Sequence, residues 1–193
     1  MNDMQVEFHK TGERRYAVVI VRKDAPELKM DPAPGFDELM PHDLLHFLVE
    51  QELGLRKGIY GQIALGGTAG TFYNKPSETS NARTDSRLRR KTAKRGKKLL
   101  KENPDDCAQS ERATYICLSD WLSHSADEKL RSRGDEMKDS AKSVYGQMSE
   151  NERVALNKEK LAAIRTRMDD LSQKWSALPI GQSISLDWRL LNH

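Results

Sequence analysis

The sequence predicts an α+β fold: a small antiparallel sheet packed on a histidine-bearing helix, with a long helical hairpin or arm. Strand-like patterns occur near both ends, and most residues between them favour helices. The 193 residues are enough for one domain with its own core. We divide the chain into residues 1–72 (hairpin, histidine-bearing helix and glycine-rich segment), 73–103 (basic linker or exposed helix) and 104–193 (a helical region whose last strand joins the N-terminal sheet), all within one domain.

Three strands are predicted, near residues 4–9, 15–22 and 183–189. The first alternates apolar and polar side chains, and the second, "RYAVVIV", is apolar on both faces, which is typical of a central strand. A central strand needs a neighbour on each side, and the third segment, "SISLDWR", alternates as a half-buried strand does. We therefore expect it to complete a sheet that the helix from Pro41 to about Leu53 covers.

The segments around that helix are rich in chain-breaking residues. "DPAPGFDELMP" predicts a connector before the helix, and Gly54 predicts a stop after it. Five glycines follow within "RKGIYGQIALGGTAGTF". They can permit close approach of backbones or form a nest of amides around an anion. The first is favoured because the Lys-Ser/Thr end of a phosphate-binding loop is missing.

One long amphipathic helix is predicted from Ser149 to Leu178. Ser149 and Glu152 form a capping pair at its start. Apolar residues then recur at spacings of three and four across residues 161–178, which produces a narrow apolar seam. We expect the seam to pack against the preceding helix, although it could instead bind a protein partner or a second copy of the chain.

Residues 83–101 carry ten basic residues and one acidic residue, whereas the whole chain has a net charge of +3. Such a cluster can neutralise phosphates on nucleic acid or bind another anionic partner. No aromatic side chain within it could stack on a base, so a solvated linker or exposed helix face is the simpler explanation. The residues expected to contact nucleic acid are Arg89, Arg90, Lys94, Arg95, Lys97 and Lys98.

Several features predict a soluble cytoplasmic protein. The longest apolar run, "YAVVIV", is far shorter than the roughly 20 residues that a membrane helix needs. The N-terminus lacks the basic and then apolar pattern of a signal peptide. Cys107 and Cys117 lie about 15 Å apart on one predicted helix, too far for a disulfide, which fits a reducing compartment.

The stretch "PHDLLHFLVE" places only metal-binding types of side chain on the polar side of its predicted helix. His42, Asp43, His46 and Glu50 lie within about 100° of one another around the helix axis. No lysine or arginine occurs in this helix, which is unusual for a solvated surface. Histidines four residues apart share one face, so both imidazoles can bind one ion at about 2.0–2.1 Å. The pattern predicts a metal site at His42 and His46 that would suit zinc.

The same helix offers Asp43 and Glu50 for proton transfer if the protein is an enzyme. Asp43 is one methylene shorter than the usual glutamate of such helices, and Glu50 lies about 12 Å of helix rise from His42. A third metal ligand must therefore come from elsewhere. Its candidates by residue type are Asp37, Glu38, His9 and Asp187.

A structural role explains these residues as well, and the sequence alone favours it over the metal site. His42 would then form a hydrogen bond near the helix start, and His46 would pack beneath the sheet. Asp43 and Glu50 would favour the helix electrostatically or pair with the arginines of "ERR" in the hairpin.

Four stretches together resemble an uncharacterised family of small bacterial proteins. They are "FHKTGERRYAV", "APGFDELMPHDLLHFLVEQELGL", "GIYGQIALGGTAGTF" and "WSALPIGQSISLDW". The family shares a PHDLxHFxVE core and a WxxLPxGxSxxLxW ending, so the resemblance covers both ends of the chain and hardly the basic middle. It implies a bacterial protein and no particular activity. A looser similarity to zinc metallohydrolases with an HExxH helix extends to His42 and His46.

Two functions of different classes follow. The first is a non-catalytic binding or adaptor module, whose basic segment binds an anionic partner and whose long helix binds protein. The second is a metal-dependent hydrolase built on His42 and His46. The sequence alone favours the binding module, because no third ligand is assignable and no G-x-S-x-G nucleophile elbow occurs.

Overall fold

The fold of the chain is α+β, as predicted. The structure is a computed structural model that describes residues 4–23, 25–75, 82–102 and 104–189. Within these residues, five strands form one antiparallel sheet in the order β4-β3-β2-β1-β5. The strands are β1 (Met4–Gly12), β2 (Arg15–Arg22), β3 (Ala25–Ala33), β4 (Tyr73–Asn74) and β5 (Ser183–Asp187).

Seven helices accompany the sheet in the described part of the chain. They are α1 (His42–Leu53), α2 (Ile59–Ala64), α3 (Ala82–Glu102), α4 (Pro104–Ser123), α5 (Glu128–Gln147), α6 (Glu150–Ala155) and α7 (Lys158–Ala177). The segment of residues 83–101, expected to be a linker or an exposed helix, is thus helical. None of the described helices is both long and apolar enough to cross a membrane.

The sheet joins the hairpin to β5, but with a different neighbour from the one expected. Phe8 of β1 pairs with Ile184 of β5, so β5 borders β1 and not the doubly apolar β2. The second neighbour of β2 is β3, which includes part of the predicted connector. Strand β3 was not predicted because it contains two prolines, which are uncommon in strands. Pro32 is tolerated there because β4 pairs with β3 only at Leu28 and Lys29.

The prediction of a single long helix from Ser149 to Leu178 is wrong, because the helix is interrupted between α6 and α7. Asn157 supplies the break: its side-chain oxygen accepts a hydrogen bond from the Lys160 amide at 2.8 Å and begins a new helix. The capping pair of Ser149 and Glu152 is confirmed at the start of α6.

Helix α1 lies between the sheet and the other helices. Phe47 of α1 packs edge-on against Phe8 and Trp188, with ring centroids 5.9 and 5.4 Å apart. The apolar seam of α7 also packs against α1, and its Met168 and Trp175 are fully buried. Trp175 packs edge-on against Tyr16 of β2 as well. The seam thus packs against other helices of the same chain, and binding of a protein partner through residues 161–178 stays a prediction.

The glycine-rich segment shows the close backbone approach that was favoured. A Cβ atom at Gly58 would lie 2.5 Å from the carboxylate of Glu50. One at Gly61 would lie 2.2 Å from the carbonyl oxygen of Arg56. The first contact brings the start of α2 against α1, and the second packs α2 against the turn that precedes it, so larger residues at either position would disturb this packing.

Candidate metal centre

Helix α1 carries a polar stripe that is largely removed from water. Asp43, His46 and Glu50 are 8%, 0% and 0% exposed, whereas His42 keeps an exposed edge. Buried polar groups need hydrogen-bond partners, because an unpaired one costs free energy. The partners of each side chain therefore indicate its role.

The two histidines direct ring nitrogens at each other. Their rings stand at 82° with centroids 4.5 Å apart, and the Nε2 atoms are 3.0 Å apart. Two nitrogens that share one metal ion lie at about this separation, since each would be about 2.0–2.1 Å from the ion. The rings thus converge, as a pair of ligands on one ion requires.

Glu111 on α4 brings a carboxylate to the same place. Its Oε2 atom lies 3.4 Å from Nε2 of His46, and its side chain is 61% exposed. One ligand atom from each of His42, His46 and Glu111 lies within 4.8 Å of the others. Among the described residues this is the one group of at least three metal-ligand side chains.

The candidates named from residue type lie outside this group. Asp37 pairs with Arg133 at 3.2 Å, and His9 pairs with Glu7 on β1 at 2.9 Å. Asp187 pairs with Arg189 at 3.0 Å. Glu38, in the loop before α1, is not in the group either.

Sequence reasoning missed Glu111 because it lies far along the chain from the histidines. Its neighbours on α4 give a weak indication of the site in the sequence. Ser110 and Thr114 are polar residues four apart on an amphipathic helix, and both are buried, at 0% and 2% exposure. Small polar residues on a buried helix face indicate a polar partner across the helix contact.

Behind His46 lies a hydrogen-bonded chain that ends at Glu50. Nδ1 of His46 is 3.0 Å from the Ser110 hydroxyl oxygen and 3.2 Å from that of Thr114. The Ser110 hydroxyl donates to Oε1 of Glu50 at 2.7 Å. Because that hydroxyl has one proton, its oxygen accepts from Nδ1–H of His46 when Glu50 is ionised. This arrangement leaves the lone pair of Nε2 directed at the candidate metal position. In zinc sites a carboxylate hydrogen-bonded to the other ring nitrogen fixes the tautomer of a ligand histidine in the same way.

Glu50 also holds helix α2 in place. Its carboxylate accepts hydrogen bonds from the backbone amides of Ile59 at 2.7 Å and Tyr60 at 2.9 Å. Burial raises the pKa of Glu50, while the Ser110 hydroxyl and these two amides oppose the shift. Glu50 therefore supports His46 from behind and does not meet the metal position, where it had been considered for proton transfer.

Asp43, the other residue considered for proton transfer, is bound to Tyr16. The Tyr16 hydroxyl contacts both the Asp43 carboxylate and the carbonyl oxygen of Pro34. Burial raises the pKa of Asp43, and the bond from Tyr16 opposes that shift. This engagement makes Asp43 a link between the sheet and α1.

The charges around the site favour a cation. The contact with His46 lowers the pKa of Glu111, although partial burial opposes the shift. Partial desolvation and then the neighbouring His46 lower the pKa of His42, while Asp43 and Glu111 oppose that effect. A carboxylate that stays ionised beside an imidazole that stays neutral is the donor set a divalent ion needs.

The loop before α1 fixes the position of His42. The amide of His42 donates to the carbonyl oxygen of Gly35 at 3.1 Å. Gly35 has φ of 72°, and a Cβ atom there would lie 2.7 Å from Cβ of His42. Both the backbone conformation and the close contact require glycine.

The basic residues of α3 form a separate exposed surface. Arg90, Lys94, Lys97 and Lys98 are exposed. Arg95 is exposed too, and its Nε donates to the carbonyl oxygen of Leu65 at 2.5 Å, which ties α3 to the glycine-rich segment. The side chain of Arg89 lies outside the part of the chain that the structure describes.

Comparisons of the chain with protein-family models, with curated proteins and with solved structures find no significant match. The resemblance noted above therefore stays a prediction.

Proposed function

We propose that the protein is a metal-dependent hydrolase whose mononuclear ion binds to His42, His46 and Glu111. The observation that carries the proposal is the convergence of the three ligand atoms within 4.8 Å. Structural zinc sites use four protein ligands, whereas catalytic sites use three and leave a position for water. Two histidines and a glutamate, one of them largely exposed, match the second type.

His42, His46 and Glu111 would hold the ion, which would supply a nucleophile for hydrolysis by lowering the pKa of water to about 7. The role of His46 is to bind the ion, and Ser110 and Glu50 keep its Nε2 free for that purpose.

The sequence alone favours a non-catalytic module because no third ligand is assignable from it. Glu111 supplies a third metal ligand of the required type, and for this reason we favour the hydrolase. The same donor set also suits Fe(II), so the bound metal must be identified by analysis.

Metal analysis tests the proposal directly. Protein purified without a histidine tag should contain close to one transition-metal ion per chain, and zinc should raise the melting temperature of metal-free protein. His42→Ala and Glu111→Ala should lose the ion. His124→Ala and Glu136→Ala change exposed residues outside the site and should keep it. Wild-type protein without bound metal and without a thermal shift would refute the proposal.

Turnover is tested separately. Zinc-loaded protein should hydrolyse at least one of p-nitrophenyl acetate, bis-p-nitrophenyl phosphate and leucine p-nitroanilide, and Glu111→Ala should not. Protein that binds zinc yet hydrolyses none of the three would be a metal-binding protein of another kind.

We propose nucleic-acid binding by α3 as a second candidate function, supported by its exposed basic side chains. Phosphate contacts release counterions, so affinity should fall steeply as salt rises. The helix has no aromatic residue to stack on bases, so binding should show little sequence preference.

Fluorescence anisotropy with labelled single-stranded DNA, double-stranded DNA and RNA at low and high salt tests this second function. Substituting glutamine at the six predicted positions should abolish binding while circular dichroism shows an unchanged fold. The positions are Arg89, Arg90, Lys94, Arg95, Lys97 and Lys98. If wild-type protein binds none of the three nucleic acids at low salt, the proposal is refuted and α3 is only a solvated helix face.

We also propose a cytoplasmic location. Cys107 and Cys117 lie ten residues apart on α4, about 15 Å of helix rise and too far for a disulfide with each other, which fits a reducing compartment. Fractionation of producing cells tests it, and recovery of the protein outside the cytoplasm would contradict it.

A further inference from the structure

An apolar groove of about 370 Å³ adjoins the candidate metal centre, and His42 forms part of its wall. The volume is at the lower end of the roughly 300–1,000 Å³ typical of small-molecule sites. The apolar lining comes from Phe36, Leu39, Leu45, Leu118, Trp121 and Leu122. Because His42 belongs to both features, a molecule in the groove would contact one of the proposed ligand residues.

The groove is preformed on its α4 side. Leu122 and Trp121 are 1% and 7% exposed, so the surrounding core holds both side chains. The indole Nε1 of Trp121 donates to Asp169 of α7 at 2.8 Å, which fixes the ring. A rigid apolar wall lets a ligand bury its own apolar surface without first ordering the protein.

The charged residues of the lining neutralise each other. Asp37 and Arg133 form an ion pair at 3.2 Å across the groove, between the loop before α1 and helix α5. A charged ligand group would have to compete with this pair, and the remaining lining offers it no counter-charge. An uncharged apolar group is therefore the complementary occupant.

We infer that the substrate carries a small uncharged apolar group, such as a short acyl chain, which binds in this groove and places the scissile bond at the metal. The inference rests on the proposed hydrolase function. The groove selects the substrate, while His42, His46 and Glu111 supply the chemistry. Leu118 and Trp121 act as specificity-determining residues.

Hydroxamates that bind a metal through the same headgroup test the inference. Zinc stoichiometry is measured first, and then calorimetry compares acetohydroxamate, hexanohydroxamate and the monohydroxamate of adipic acid. Each buried methylene should improve affinity about fourfold. Hexanohydroxamate should thus bind at least about tenfold more tightly than acetohydroxamate even if half of its extra methylenes are buried. The adipic compound has a similar chain with a terminal carboxylate and should gain no such advantage.

Two variants locate the effect. Leu118→Gln should remove most of the preference for the longer chain and keep one zinc per chain. Leu161→Gln, a partly buried leucine on α7, is the matched control and should keep the preference. Asp37→Asn leaves Arg133 without its anion and should improve binding of the adipic compound.

The outcomes separate the two proposals. Equal affinity for acetohydroxamate and hexanohydroxamate in zinc-loaded protein would overturn the groove assignment and leave the metal site in place. A preference that survives Leu118→Gln would place the apolar group elsewhere and also overturn it. Failure to bind zinc or any other transition metal would overturn the hydrolase proposal and the groove assignment together.

Discussion

Helices α1 and α3 both concentrate polar side chains, yet they use them in opposite ways. In α1, Asp43, His46 and Glu50 are buried, and each has hydrogen-bond partners on other elements. In α3, basic side chains such as Arg90 and Lys94 extend into solvent. Burial makes each polar contact of α1 energetically important, whereas water screens the charges of α3. Charge density alone therefore says little about where a functional site lies.

The largest difference between the two helices should appear when Glu50 is removed. Glu50→Ala leaves the Ser110 hydroxyl and the amides of Ile59 and Tyr60 without their acceptor. At about 1–3 kcal/mol for each unsatisfied group, we expect a loss of about 3–5 kcal/mol in the free energy of unfolding, measured by urea denaturation. Glu102→Ala, on the exposed end of α3, is the control and should change it by less than about 0.5 kcal/mol. Similar losses in both variants would refute the contrast.

A smaller loss should follow from Gly35→Ala. Alanine at positive φ costs about 1–2 kcal/mol, and its Cβ would also meet Cβ of His42. Gly70→Ala is the matched control, since Gly70 has φ of 81° with no atom within 4 Å of an added Cβ. We expect Gly35→Ala to lose at least about 1 kcal/mol more than Gly70→Ala. It should also weaken the zinc-induced thermal shift, and equal behaviour of the two variants would show that the loop does not position His42.

The effect of pH on Glu50 should be smaller again. Burial raises its pKa, so the folded protein keeps the proton to higher pH than the unfolded chain does. The stability that this provides is fully present below the unfolded pKa, near 4.5, and is lost as pH rises through the folded pKa. Relative to Glu50→Gln, the wild type should lose stability as pH rises from 4 to 6, with a slope of at most about 1.4 kcal/mol per pH unit. Urea denaturation across this range checks the sign, and a wild type that gains stability relative to the variant would contradict it.

The smallest effects should come from α3 itself. Arg90→Ala and Lys94→Ala remove exposed charges, so each should change the free energy of unfolding by less than about 0.5 kcal/mol. Urea denaturation at low and high salt is the measurement. A loss above 1 kcal/mol would mean that α3 supports the fold, and the contrast with α1 would need revision.

The sequence predicted α1 well because its signals are local. Pro41 precedes the first helical residue, Gly54 ends the helix with φ of 65°, and its apolar face and its lack of basic residues indicate burial. The two histidines could be paired for the same reason, since a spacing of four fixes their geometry. Periodicity within one helix thus yields half of the candidate site.

The rest of the site depends on contacts between distant segments. Glu111 reaches His46 only because α4 packs on α1, and no spacing in the sequence encodes that contact. The strand β3 was missed because its two prolines favour a connector, although Leu28 and Met30 alternate inward as a strand requires. Tertiary packing determines both features, and for β3 it overrides the local signal of the prolines.

The pairing of β1 with β5 sets an order on folding. Phe8 pairs with Ile184, which lies near the other end of the described chain. Forming this contact therefore has a large loop-closure entropy cost, so it contributes little to a folding nucleus. The hairpin of β1 and β2 can form early from neighbouring residues, whereas a chain emerging from the ribosome cannot complete the sheet until residues 183–187 have been synthesised. Trp188, which packs on Phe47, then closes the core beside α1. Until that moment one side of the hairpin exposes an unpaired strand edge, and such an edge can pair with another chain and promote aggregation.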